Sequence, residues 1–306
     1  MEAFVMNELS SRPAMRNMAS PPPHVPVQGA TGLIEIRNFS LNYVARTGDV
    51  AAVRDVSLTV RPGEFISIIG PSGCGKSTLL SAVAGFLKPS AGQVMVDGEI
   101  ISGTSAERGM VFQHYSLFPW KTVRQNVEFG LKMKGMPAHA RTLVAQRLLK
   151  LTGLEAFETS YPHQLSGGMR QRVGIVRALA PGQKILLLDE PFGALDAQTR
   201  QIMQQILLNI WQGLGISVLF VTHDIDEAIF LSDRIYVMTS RPGTLKAEIA
   251  VDLPRPRDPA IMVAPEFISL RAQLMALLRA ESIKAMGGEV TQAAISGATN
   301  LNSTED

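Results

Sequence analysis

The sequence predicts an α/β fold: a mixed central sheet, an antiparallel β subdomain ahead of it and an α-helical subdomain inserted into it. Three observations support this. Short apolar segments each followed by a helical period recur at Phe65–Ile69, Ile185–Leu188 and Ile216–Val221. Alternating apolar and polar residues mark the first stretch of the chain, and a block of purely helical period separates the first of those strand and helix units from the second.

Residues 1–32 are rich in Met, Ser and Pro and include Pro21-Pro22-Pro23, the composition of a flexible leader. Order is expected from about Leu33. Ile34–Ser40 and Val56–Val60 alternate like antiparallel strands, and the second meets the Pro62-Gly63 turn signal. Phe65–Ile69 is a short apolar strand; the helix after it should turn Leu79, Leu80, Val83 and Ala84 inward. Gln93–Val96 runs into Asp97-Gly98, a strong hairpin dipeptide, and Met110–Phe112 forms one more strand. The helical insertion, about 114–172, places Val123, Val127 and Leu131 on one face and Leu143, Val144, Leu148 and Leu151 on another. Strand Ile185–Leu188 resumes the parallel sheet, which should therefore include strands from both sides of the insertion. A helix carrying Ile202, Met203, Ile206, Leu207 and Ile210 follows, stopped by Gly213 and Gly215 before strand Ile216–Val221. Arg234–Met238 and Thr244–Val251 read as strands. Pro254–Pro259 leads to an amphipathic helix within 256–280, its apolar face made of Phe267, Leu270, Leu274 and Leu277. Residues 281–306, rich in small and polar types, have the composition of a disordered tail.

Bulk properties narrow the classes. The 306 residues are 46% hydrophobic, enough for a sizeable core, and the net charge of +2 lacks the basic excess of a dedicated nucleic-acid binder. A lone cysteine, Cys74, rules out an internal disulfide and fits a reducing compartment. No apolar run approaches the ~18 residues of a membrane span, and no secretory signal pattern opens the chain.

Gly70-Pro71-Ser72-Gly73-Cys74-Gly75-Lys76-Ser77 fits the phosphate-loop pattern and lies between an apolar strand and a helix, where the chemistry needs it. Glycines let consecutive N–H groups point inward, and the helix start adds its positive dipole end. Lys76 is placed to bridge the β- and γ-phosphates of ATP, Ser77 to offer its hydroxyl to Mg2+, and Thr78 to meet the α/β region. Cys74 fits either a small tolerated side chain or a redox role. Asp189 and Glu190 end the apolar strand Ile185–Leu188; the first suits a Mg2+ ligand and the second a base or positioner for the attacking water.

A second anion site follows from Leu165-Ser166-Gly167-Gly168-Met169. Ser166 stands in N-cap position, and two glycines bare the first-turn N–H groups of a helix. Two such helix ends for one nucleotide are economical only in a head-to-tail homodimer, where each copy closes on the γ-phosphate held by the other.

At this point the sequence resembles the ABC-transporter ATPases, whose signature is Leu-Ser-Gly-Gly-Gln; Met169 takes the Gln position. The resemblance covers about 33–255 and implies a P-loop NTPase of the ABC cassette type. It implies that Gln113 is the Q-loop glutamine, touching Mg2+ or the attacking water. Ala194-Leu195-Asp196 resembles the D-loop, with Gly193 in place of the usual Ser. His223 resembles the switch histidine that bonds the γ-phosphate, and Tyr43 the aromatic on which adenine stacks. The segment from Gln113 through His114, Tyr115, Leu117, Phe118 and Trp120 fits either a groove for a permease's coupling helix or the core of the insertion.

Phe192-Gly193-Ala194-Leu195-Asp196, Val221-Thr222-His223-Asp224, Asp226-Glu227-Ala228, Leu231-Ser232-Asp233-Arg234 and Leu253-Pro254-Arg255-Pro256-Arg257 are similar to the nitrate/sulfonate/taurine importer branch. That similarity implies a peripheral subunit on the cytoplasmic face of a bacterial inner membrane, with a separate integral permease and an extracytoplasmic solute-binding protein. The alternative is a soluble ABC-type ATPase acting on nucleic acid or ribosomes. It is disfavoured because one phosphate loop and no sustained heptads are present, and no nucleic-acid partner is expected.

Overall fold

The computed structural model describes residues 31–43, 49–113 and 116–285. The tail from 286, the leader apart from residues 31 and 32, and His24, His114 and Tyr115 lie outside the described residues. Gly32, inside the expected leader, donates its N–H to Asp97 Oδ1 at 2.8 Å.

Two sheets share the framework. In the smaller, β2 (Val50–Val60), β1 (Ile34–Tyr43), β4 (Ala91–Val96) and β5 (Glu99–Ile100) pair antiparallel in that order. The hairpin between β4 and β5 turns on Asp97 and Gly98, both at positive φ (50° and 83°), as an Asp-Gly hairpin demands. β2 begins six residues before the strand legible in the sequence. Register shifts against β1 break the alternation around Arg54 and Asp55, while Ala52 and Val53 are buried ahead of them.

The larger sheet has the order β10-β9-β3-β8-β7-β6. Its centre is β3 (Phe65–Ile69), parallel to both β8 (Ser217–Val221) and β9 (Arg234–Met238). β7 (Ile185–Asp189) joins β8 to β6 (Arg108–Val111), and only β10 (Leu245–Ala250) runs antiparallel. Because β6 precedes the insertion and β7 follows it, one sheet does take strands from both sides. Its apolar runs are buried on both faces. Phe65 and Ile69 of β3 pack with α5 (Ala197–Leu214), α6 (Ile225–Leu231) and α7 (Pro265–Ala285). Ile66 and Ile68 pack with α1 (Lys76–Ala84) and the small sheet.

The inserted helices α2 (Val123–Met133), α3 (Ala138–Leu151) and α4 (Gly167–Leu179) enclose a third core around Val127, Leu131, Ala145, Leu149 and Val173. One expectation needs correction. Leu143 and Leu151 are 54% and 62% exposed, because α3 is buried along Ala145 and Leu149, with Val144 and Leu148 only at the flank. Ile202 is 59% exposed for the same reason: the buried line of α5 runs through Met203, Leu207 and Leu208. In both helices the apolar arc is wider than the contact it serves.

The C-terminal elements depart further. Pro254–Pro259 is a strap, not a spacer: Arg255 pairs with Asp233 at 2.8 Å, and the buried Arg257 donates to the carbonyls of Ile229, Phe230 and Ser232 at 2.7–2.9 Å. Those carbonyls end α6 and have no intrahelical donor of their own. Helix α7 buries Phe267 and Leu274 as expected but continues to Ala285, and Glu281, placed in the tail by composition, is 1% exposed and ion-paired to Lys246 at 2.7 Å. Replacing Arg257 with Ala strands three buried carbonyls. We expect a loss of about 3–5 kcal/mol, by the cost of breaking a buried charged network, measured by urea unfolding; an unchanged midpoint would refute the capping role.

Candidate functional site

β3 delivers the chain into the glycine loop, and the loop's shape is set by its neighbours. Gly73 and Gly75 adopt φ of +74° and +102°. A Cβ at Gly75 would lie 2.4 Å from Val53 Cγ2 and 3.1 Å from the Ala52 carbonyl, so β2 presses directly on the loop. Gly75 caps α1, whose first residue is Lys76. The Lys76 ammonium turns back over the loop and donates to the Gly70 and Pro71 carbonyls at 2.9 and 3.0 Å. The Cys74 thiol is fully buried in the core beneath, and burial pushes its pKa up. A thiol so placed is unreactive, which favours the small-side-chain reading over a redox role.

Above the loop lies a cleft of about 350 Å3. Ser72, Gly73, Gly75, Lys76, Ser77 and Thr78 form its floor, Tyr43 and Ala52 one wall, and Gln113 and Glu190 the other. Gly70, Pro71 and Cys74 belong to the loop but not to the cleft lining. Tyr43 is 42% exposed, with its hydroxyl 3.1 Å from Thr78 Oγ1, so its ring is an open wall rather than core.

The two acids part company at the end of β7. Ser77 Oγ donates to Asp189 Oδ1 at 2.9 Å. Burial holds the Asp189 carboxyl above its ordinary pKa, with the Ser77 bond and Lys76 pulling against it and Glu190 adding to it. A hydroxyl and a carboxylate oxygen side by side, with the Gln113 amide lining the same cleft, are the hard oxygen donors that suit Mg2+. Glu190 leaves the strand at φ +44°, its N–H bonded to the Val221 carbonyl at 2.9 Å, and this turn aims its side chain away from that of Asp189. Its Oε2 sits 3.1 Å from His223 Nδ1, on the loop that follows β8. The arrangement places a metal-suited pair and an acid–imidazole pair on one side of a phosphate cradle.

Residues 53–193 match the family model described as ABC transporter. The nitrate import ATP-binding protein NrtD of Synechocystis is 47% identical over 252 residues, 80% of this chain and 95% of the relative. The taurine import ATP-binding protein TauB of Yersinia pestis is 48% identical over 229 residues, 73% and 90% of the two chains. The chain belongs to the ABC transporter family. Among solved structures, a dimeric ATP-binding cassette in a post-hydrolysis state with ADP and Pi superposes with a TM-score of 0.65 at 34% identity, covering 72% of this chain and all of that one. The fold is that of the ABC cassette, and the activity is ATP hydrolysis.

Other signature elements of the ABC cassette stand apart from the cleft. Ser166 caps α4 and accepts from Met169 N–H at 3.3 Å; Asp196 caps α5 and accepts from Thr199 N–H at 2.9 Å. Neither Ser166, Gly167, Gly168 nor Asp196 lines the cleft. They do adjoin one another: a Cβ at Gly168 would lie 2.7 Å from Thr199 Cγ2. The signature and the D-loop therefore form one face. The segment after Gln113 divides between the two readings it allowed. Leu117 packs into the insertion's core and Phe118 lies 4.6 Å from Phe129, whereas Trp120 is 71% and Phe112 38% exposed.

Reading the sequence missed Arg241, which lines the cleft, and the set that holds the histidine loop. Thr222 donates to Glu227 Oε2 at 2.7 Å and accepts from Asp224 N–H, while Asp224 caps α6. Arg200 reaches from α5 to Asp224 at 3.3 Å and to the Leu195 carbonyl at 3.0 Å, tying the histidine loop to the D-loop. The signal available was Asp224 ahead of Asp226-Glu227, a capping pattern. Desolvation pushes the Glu227 carboxyl up to about 7, against the bond from Thr222. The folded state thus holds a proton that the unfolded state releases above its ordinary value of 4.5, so the group costs stability increasingly as pH rises from 4.5 to about 7. Replacement of Glu227 by Gln is expected to raise the melting temperature at pH 8 relative to wild type and to make no such difference at pH 4.5. Equal shifts at both pH values would overturn this assignment.

Proposed function

We propose that the chain energises uptake of a small anion or organosulfonate through a membrane permease, as a homodimer that binds MgATP between its two copies. The observation that carries this is one cleft lined by the glycine cradle, Ser77 and Glu190, with Asp189 bonded to Ser77 and His223 to Glu190 just outside its lining. The nitrate and taurine names of its relatives support the cargo class. An extracytoplasmic solute-binding protein would complete the importer, and the peripheral position on the cytoplasmic face accords with the finding that no helix among the described residues is long and apolar enough to span a bilayer.

In this scheme the loop N–H groups and Lys76 hold the β- and γ-phosphates, and Tyr43 stacks on the adenine. Mg2+, held by Ser77 and Asp189 with Gln113 nearby, would neutralise charge on the phosphates. Glu190 accepts a proton from the attacking water, and His223 fixes that carboxylate and meets the γ-phosphate. Ser166, Gly167, Gly168 and Asp196 act in trans, on the nucleotide cradled by the other copy. Phe112 and Trp120 offer exposed apolar surface beside Gln113 for the permease. ATP favours the closed dimer because both copies grip the γ-phosphate; its loss removes that difference and the pair reopens.

Glu190→Gln is expected to cut turnover by roughly 10²-fold or more, the usual share of a general base, and to accumulate an ATP-bound dimer on gel filtration. Normal turnover would remove Glu190 from the proposed role. Recovery of the tagged chain with ribosomes or DNA instead of an integral membrane protein would replace the importer with the soluble alternative.

A further inference from the structure

The cleft has a wall that none of the sequence motifs supplies. Between β9 and β10 the chain makes a tight turn, closed by Thr239 N–H to the Thr244 carbonyl at 3.0 Å and by Thr244 N–H to Thr239 Oγ1 at 2.9 Å. The turn is seated on the phosphate loop. A Cβ at Gly243 would lie 1.9 Å from the Cys74 carbonyl, a contact only glycine allows. The Gly243 N–H donates to the Ala52 carbonyl, and its own carbonyl accepts from Arg54 N–H, both at 2.9 Å, so the turn is stitched to β2 at the point where β2 presses on Gly75. Arg241 projects from its tip into the cleft lining, exposed, with Nε 3.4 Å from the Ala51 carbonyl. Ala51 pairs with Asn42, and Val50 with Tyr43, so this guanidinium stands on the Tyr43 side of the cleft.

What fixes the turn from behind is the C-terminal helix. Glu281 of α7, 1% exposed, accepts from the Ser240 N–H at 3.1 Å with Oε2. Its other oxygen accepts from Lys246 at 2.7 Å and Lys284 at 3.2 Å. Lys246 also donates to the Leu277 carbonyl at 3.1 Å, so β10 and α7 are joined at the same place. A carboxylate this buried is retained only where it is paired, and here its free oxygen grips the residue next to Arg241.

We propose that Arg241 is a nucleotide-binding residue on the Tyr43 wall of the cleft, with Glu281 of the C-terminal helix as its positioning residue. This rests on the reading of the cleft as an ATP site and adds a part to it. A guanidinium at that wall suits the electron-rich face of a stacked purine or a phosphate oxygen near it, and both interactions favour bound nucleotide without taking part in the chemical step. The C-terminal helix then bears on nucleotide affinity through a single buried carboxylate.

The test is equilibrium binding of a fluorescent ATP analogue with Mg2+ to the full chain, together with KM and kcat for ATP. Because Arg241 is exposed, Arg241→Ala should fold normally; we expect Kd and KM to rise together by roughly 10- to 150-fold, the range for a hydrogen bond to a charged group, with a much smaller change in kcat. Arg241→Lys should recover part of the loss. Glu281→Gln should shift Kd in the same direction, and adding it to Arg241→Ala should cost no further affinity. Unchanged Kd in Arg241→Ala, or Glu281→Gln losses that add fully to those of Arg241→Ala, would overturn the proposal while leaving the ATP site in place. If wild type itself fails to bind the analogue, the reading of the cleft falls and this inference with it.

Discussion

Three adjacent parallel strands that end at one edge are the constraint on which the site depends. β3, β8 and β7 are neighbours, with Ile68 beside Val221 and Val221 beside Asp189. The glycine loop, the histidine loop and the acid pair are therefore brought together although more than a hundred residues of chain separate the first from the others. A parallel sheet can do this because its strands are joined by crossovers and all point the same way, so every C-terminal end opens onto the same crevice. The helical insertion does not disturb it: β6 leaves the sheet and β7 re-enters beside it in the register Arg108 to Ile185. A slip of one residue in β7 would exchange the faces of Asp189 and Leu188 and put an apolar side chain against Ser77.

That constraint also decides what could be read from the sequence. The β3, β7 and β8 runs are apolar on both faces, and the glycine loop and acid pair sit at their ends, so spacing and residue type sufficed to place Lys76, Ser77, Asp189 and Glu190. His223, Gln113 and Tyr43 carry no local pattern of their own and were reached through family resemblance alone. Arg241 and Arg200 were not reached at all, and Glu227 was named only as part of a family segment, with no role. Their roles arise from contacts over long separations: Gly243 against Cys74, Arg200 against Asp224, Glu281 against Ser240. Nothing in a window of ten or twenty residues marks Arg241 or Arg200, whereas Glu227 bonds Thr222 only five residues away. The same holds for Arg257, whose neighbours Pro254, Pro256 and Pro259 look like a spacer until its guanidinium is found on the carbonyls of α6.

The charged groups of the cleft are already partnered within the chain. Lys76 is held by two loop carbonyls, Asp189 by Ser77, and Glu190 by His223. On the proposed reading a triphosphate and its cation would exchange these bonds for their own, so the gain on binding would be a difference between two satisfied states and not the full strength of the new contacts. The internal partners have a second effect. They keep each side chain near its working position, and so reduce the ordering that binding would otherwise require.

The same accounting explains why two of the recognised elements, the signature segment and the D-loop, stand apart from the cleft. The first-turn N–H groups of α4 have no acceptor within their own helix, and Ser166 takes up that of Met169. Asp196 is likewise spent on capping α5, so the D-loop offers backbone and shape more than charge. A helix start left open on an exposed face, beside a D-loop linked through Arg200 to the histidine loop, is of use only to an anion brought from outside. On the proposed twofold reading that anion would be the phosphate held by the other copy, and it would meet a face whose D-loop carbonyl at Leu195 and histidine-loop carboxylate at Asp224 are both held by Arg200.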